Sequence, residues 1–214
     1  MTHTLHRLGK PDDLEDDFPW LITPRAGVND KDLAEKIDKV IDIIEQLNIE
    51  IWGYGACKNT LMTPLSEMRK SLRELALKKP SLARLRGVCT SREQLKEFLK
   101  ALKEVDLGIS VTVSGLIDEI FSICREIGLK PHSVNLSLGV WGKKELLPLG
   151  EVLEVTTMCG HSLISPNLVN RMIKGVKEGR IHPREAAILL AKTCPCGVFN
   201  IKRAERLLRR LASK

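Results

Sequence analysis

Hydrophobic positions follow two regimes along the chain. From Phe18 to about Trp141, short apolar runs alternate with stretches of helical period; beyond Trp141 only the helical period persists. The runs predict five strands, over Phe18 to Thr23, Ile49 to Trp52, Leu85 to Cys89, Ile109 to Ser114 and Val134 to Val140. Between the first two, Leu33, Ile37, Val40, Ile41, Ile44 and Leu47 recur at three- and four-residue steps behind Asp30, a predicted N-cap. Pro64 suits the first turn of a second helix reaching Leu77, and Pro80 closes it. Ser91 with Gln94 reads as a capping box for a third helix over Glu93 to Glu104. Ile117, Ile120, Phe121, Cys124 and Ile127 form the inner stripe of a fourth, which Gly128 ends.

Strands interleaved with helices require crossover connections, so the pattern predicts an α/β fold: a mostly parallel sheet in a three-layer domain. A ferredoxin-like α+β arrangement is the alternative, because Ile109 to Ser114 alternates apolar and polar residues more than a strand covered on both faces should. The later region predicts helices over Glu151 to Val155, Asn167 to Glu178, Pro183 to Lys192 and Asn200 to Ala212. The expected organisation is an acidic lead-in over residues 1–17, an α/β domain over 18–142, and a helical metal-binding appendage over 143–214 packed on that domain.

Composition and charge narrow the partners. The chain of 214 residues has 43% hydrophobic and 29% charged residues, ordinary for a folded protein. No apolar run reaches the roughly 18 to 20 residues of a membrane span, and Met1 to His6 lacks the charged start and apolar stretch of a signal peptide. A cytoplasmic protein with no membrane partner is expected. Few glutamines and aromatics beside abundant Lys, Arg, Glu, Leu and Ile point to a heat-tolerant source. The net charge of +7 is concentrated in the last predicted helix, where Lys202, Arg203, Arg206, Arg209, Arg210 and Lys214 stand against Glu205. Such a helix has the footprint of a nucleic-acid contact, although a solvated face is the commoner outcome. Asp12-Asp13-Leu14-Glu15-Asp16-Asp17 reads as a solvated, loosely ordered lead-in.

The six cysteines carry the chemistry, since thiols in a reducing compartment are more often buried, catalytic or metal-bound than bridged. Cys194 and Cys196 flank one proline and precede Gly197, in a loop between two predicted helices; Cys159 precedes Gly160 and His161 in a similar loop. Thiolates on short glycine-flanked turns suit a soft metal. Cys57, in the loop Gly53 to Asn59 beyond the second strand, falls where sites form in parallel sheets, at the strands' carboxyl ends. The expected ligand set is Cys57, Cys159, Cys194 and Cys196, with His161 as the alternative fourth ligand. An iron–sulfur cluster is the expected cofactor because the paired Cys-x-x-Cys knuckles of structural zinc sites do not occur; zinc is the alternative. Cys124 and Cys89 read as core residues.

Lys58, Arg25 and His161 are candidates for charge or proton transfer, Arg25 through an anion-holding turn at a helix start. Ser114-Gly115 and Gly139 to Lys143 could line a ligand cleft at the same sheet edge. No nucleophile elbow, His-Glu-x-x-His helix or P-loop occurs. The expected function is therefore redox or cluster-centred chemistry, as an iron–sulfur oxidoreductase or lyase or as a carrier, on a small-molecule ligand or redox partner protein. Two alternatives are a zinc-stapled nucleic-acid-binding module using the basic last helix, and a metal-free α/β protein that binds a small molecule.

Overall fold

The computed structural model describes residues 7–137 and 139–214. Its elements are α1 (Pro11–Leu14), β1 (Phe18–Thr23), α2 (Leu33–Gln46), β2 (Trp52–Tyr54), β3 (Lys58–Asn59), α3 (Leu65–Lys78), β4 (Leu85–Cys89), α4 (Arg92–Val105), β5 (Ser110–Val113), α5 (Ile117–Glu126), α6 (Gly150–Thr156), α7 (Pro166–Lys177), α8 (Pro183–Lys192) and α9 (Ile201–Ala212), with 3-10 turns at Pro80–Leu82 and Lys144–Leu146. Among the described residues, no helix is long and apolar enough to cross a membrane.

The five strands form one sheet in the order β3-β2-β4-β1-β5, and every neighbouring pair is antiparallel. This overturns the expectation of a mostly parallel sheet. The reason lies in what covers β4. Side chains on a strand alternate between faces, and Trp20, Leu85 and Tyr54 lie in a core with α2, α3 and α4, whereas Ile51 and Val88 lie in a second core built from α6 to α9. With helices packed from both sides, the antiparallel strand β4 is buried along its whole length, as parallel strands usually are, and β1 is buried as far as Ile22.

The segment predicted as a fifth strand, Val134 to Val140, is irregular where described, and Leu138 lies outside the described residues. Its alternating pattern fits a strand, but a strand also needs a hydrogen-bonding neighbour, and none pairs with it among the described residues. Ser91 does cap α4: its hydroxyl accepts from Gln94 N at 3.1 Å, while Gln94 Oε1 accepts from Thr90 N at 2.9 Å, one residue earlier than in a standard capping box. Asp30 instead accepts from Gly27 N in the turn before α2, whose cap position is Asp32.

The acidic run is only partly solvated: Asp12 and Glu15 are exposed. Asp13 and Asp17 are buried against α9, where Arg206 and Arg210 pair with Asp13, Arg206 also pairs with Asp16, and Arg203 pairs with Asp17. Arg209 pairs with Glu205 on its own helix, and Lys214 with Glu151 of α6. Much of the basic charge of the last helix is thus compensated inside the molecule rather than displayed to a polyanion.

Burial alone would raise the Asp13 carboxyl, but the hydrogen bond and charge of Arg210, with Arg206 and Arg203 behind it, hold it below its ordinary value of 3.8. A carboxyl depressed in the folded state contributes stability above its unfolded pKa and loses it as pH falls through the folded one. Melting followed from pH 7 down to pH 3 should therefore show wild type losing stability at the acid end, with Asp13→Asn less stable at pH 7 and flatter below pH 4. Parallel curves would show that Asp13 does not carry this acid dependence.

Candidate metal centre

Three loops bring four cysteines to the second face of the sheet. Cys57 is at the tip of the β2–β3 hairpin, Cys159 follows α6, and Cys194 and Cys196 lie between α8 and α9. This is a sheet face, not the carboxyl edge expected of parallel strands, because an antiparallel sheet has no such edge. Cys159, Cys194 and Cys196 are buried and Cys57 is exposed; none is in a disulfide.

The Cys194 loop is fitted to the sheet by glycines. Gly197 has φ +70°, and a Cβ there would fall 2.4 Å from the Trp52 backbone carbon, while a Cβ on Gly53 would fall 2.8 Å from the Cys196 carbonyl oxygen. Gly53 had read as loop; it belongs to β2, where its missing side chain admits the cysteine turn. The fully buried Asn59 fixes the other side, donating from Nδ2 to the Cys194 carbonyl at 3.1 Å. Gly197→Ala should destabilise the protein by roughly 2–5 kcal/mol, from the left-handed backbone together with the clash, and urea unfolding would check this. A change below about 1 kcal/mol would mean that the turn can move off the strand at little cost.

The thiols sense one another. Cys159 is drawn down to about 6, first by a hydrogen bond from Cys194, against burial, and then by the backbone N–H groups of Leu163 and His161 and by the His161 ring. Cys194 is pushed up by that same partnership and by burial, with Cys159 and Cys196 adding to it, although the Val198 N–H opposes. The pair thus sheds one proton readily and holds the second. Burial raises Cys196; Arg86 opposes this, while Cys57 and Cys159 add to it. Cys159, Cys194 and Cys196 are thus within electrostatic reach of one another, and Cys57 is within reach of Cys196. Among the described residues, however, no group of three or more His, Cys, Asp or Glu side chains is gathered tightly enough to hold a metal ion as placed.

His161 joins this site, its Nδ1 lying 3.3 Å from Cys196 Sγ. Lys58 is directed elsewhere: its ammonium pairs with Glu67 of α3 at 2.8 Å, which holds it above its ordinary value. Arg25 lies on the exposed turn after β1, a strand end that pairs with β5 and not with β2, so the structure does not bring it to the cysteines. Ser114 and Gly115 line a cavity of about 120 Å³ with Arg7 and Asp17, and Trp141 is 80% exposed, so the cleft expected from these residues does not form. Cys89 is buried on the sheet's other face, and Cys124 on α5, where burial raises both thiols.

Two features were not read from the sequence. Arg86, in the centre of β4, donates from Nη1 to Cys196 Sγ at 3.3 Å and from Nη2 to the Tyr54 carbonyl. Its signal was a lone charge inside the apolar run Leu85 to Cys89. Asp17 forms a hub: it accepts from Arg7 at 2.6 Å, Arg203 at 2.8 Å and Asn200 at 3.1 Å, and Arg7 also donates to the Val198 carbonyl, next to the cysteine turn. Comparison of the chain with protein-family models, characterised proteins and solved structures finds no match.

Proposed function

We propose that Cys57, Cys159, Cys194 and Cys196 hold an iron–sulfur cluster between the sheet and the C-terminal helices, in a protein of a reducing, cytoplasmic compartment. The observation that carries this reading is that Cys159, Cys194 and Cys196 are buried side by side, two of them receiving backbone N–H groups, with Cys57 on a third loop within charge reach of Cys196. Backbone N–H groups aimed at sulfur stabilise thiolate, the form that binds metal. The donor set fits a soft metal. Around one tetrahedral zinc, with Zn–S near 2.3 Å, the sulfurs must crowd to about 3.8 Å from each other. The chain has no paired Cys-x-x-Cys knuckles of the kind structural zinc sites use, which favours a cluster, in which each iron takes its own thiolate.

Bound there, such a group supplies one-electron transfer when all four thiolates ligate, or a Lewis-acid position when one is withdrawn. Cys57 is the ligand suited to withdrawal, since it alone is exposed, on a hairpin tip. The three buried cysteines form the fixed part of the site, and His161 supplies a ring nitrogen beside Cys196. The chain's role is then redox or cluster-centred chemistry with a small molecule or redox partner protein.

Anaerobic purification followed by a visible spectrum and assays for iron, acid-labile sulfide and zinc tests the reading. A brown protein containing iron and sulfide is the expected result. Colourless protein that takes up no iron after anaerobic reconstitution would end it.

A further inference from the structure

Among the described residues, Arg86 is a buried cation without a carboxylate partner. Only 7% of its surface is exposed, its Nε has no hydrogen-bond partner, and its remaining donors go to the Tyr54 carbonyl and to Cys196 Sγ. By contrast Arg203, which is fully buried, and Arg7, whose side chain is 6% exposed, share Asp17. A charge taken out of water is strongly unfavourable unless an opposite charge accompanies it. For Arg86, among the described residues, the group in position to carry that charge is sulfur: Cys196 directly, with Cys57 and Cys159 behind it.

We propose that Arg86 is the fixed counter-charge of the four-thiolate centre and, through its N–H···S bond to Cys196, holds the reduction potential of that centre up. This rests on the metal-centre reading above. Four thiolates carry more negative charge than the metal they bind, so the centre is anionic and each added electron makes it more so. A permanent positive charge and a hydrogen bond to sulfur both favour the electron-rich state. Arg86 lies on the central strand β4, bonded on both sides by β2 and β1, so the sheet holds it in place. It is a positioning residue, and the competing account is that it merely braces the Tyr54 carbonyl.

Full-length Arg86→Met, Arg86→Gln and Arg86→Lys, reconstituted anaerobically with iron and sulfide, separate the two accounts. Midpoint potentials would come from spectroelectrochemical titration, and melting temperatures from each form with and without metal. Arg86→Met and Arg86→Gln are expected to carry the centre at a more negative midpoint, and Arg86→Lys to shift it less. Metal-free Arg86→Met should melt no lower than metal-free wild type, because an uncompensated charge has been removed. If Arg86→Met takes up no metal, uptake by Arg86→Lys supports the charge, and failure of both overturns it. A wild-type midpoint in Arg86→Met and Arg86→Gln, or equal destabilisation with and without metal, reduces Arg86 to a brace. Should wild type take up zinc and no iron or sulfide, the cluster reading alone fails. The counter-charge then stands if Arg86→Met releases zinc to a chelator several-fold faster than wild type, and falls if the rates match.

Discussion

Asp17→Ala is expected to cost about 3–5 kcal/mol of folding stability, the range found when one partner is removed from a buried ion pair. The upper end applies because two arginines lose their counter-charge at once: the side chains of Asp17 and Arg203 are 0% exposed and that of Arg7 is 6% exposed. Arg203 feels the burial already, its guanidinium lowered by desolvation and restored in part by Asp17. For a chain of this length the loss corresponds to a drop in melting temperature on the order of 10 °C. Asp17→Asn keeps the shape and should lose nearly as much, because the missing quantity is charge. Thermal and urea unfolding would measure both, and a loss under about 1 kcal/mol in either would show that the hub does not hold the N-terminal segment to α9. The consequence also reaches the cysteines, since Arg7 joins Asp17 to the Val198 carbonyl beside the Cys194 turn. Metal retention should therefore fall in these variants even though no ligand has changed.

The limits of the sequence reading follow from the same contacts. Local signals were legible: β1 and β4 lie where their apolar runs place them, and α6 to α9 are within a residue or two of their periodic stripes. Strand direction was not, because an apolar run reports burial on both faces and is silent about which neighbour supplies it. Here the second face of β4 is covered by the C-terminal region and not by crossover helices. Gly53 reads as a loop residue by composition, yet it is strand, and its missing Cβ makes room for Cys196. The loops that carry Cys159, Cys194 and Cys196 were legible as breaks between helices, because glycine and proline beside the cysteines end the helical pattern there. Arg86 and the Asp17 hub were not, since a charge in a strand and an acidic run both acquire their partners from more than 100 residues away. The same distance explains why the acidic run looked solvated and the last helix looked free to bind a polyanion.

Substituting the cysteines one at a time should separate fixed ligands from the exchangeable one. Cys194→Ser removes a fully buried thiol that pairs with Cys159 and receives the Val198 N–H. If four ligands together supply roughly 10–16 kcal/mol, as in structural zinc sites, each contributes a few kcal/mol, so this variant should weaken metal binding by about two orders of magnitude or more. Cys57 behaves differently because its backbone is left-handed, with φ +56°, a conformation that costs a non-glycine residue about 1–2 kcal/mol. A non-glycine residue in a strained conformation at a hairpin tip points to a use for its side chain. Cys57→Gly should therefore leave the metal-free protein as stable as wild type, or up to about 1 kcal/mol more stable, after the glycine's own entropy cost. In the same variant metal should be bound more weakly, but with a smaller loss than in Cys194→Ser, because three buried thiols and the His161 ring remain. Metal content after exposure to a chelator, read beside the melting temperature of the metal-free form, gives both signs in one comparison. Full metal retention in Cys57→Gly would remove Cys57 from the ligand set and leave the fourth position to His161, whereas full retention in Cys194→Ser would dismantle the centre.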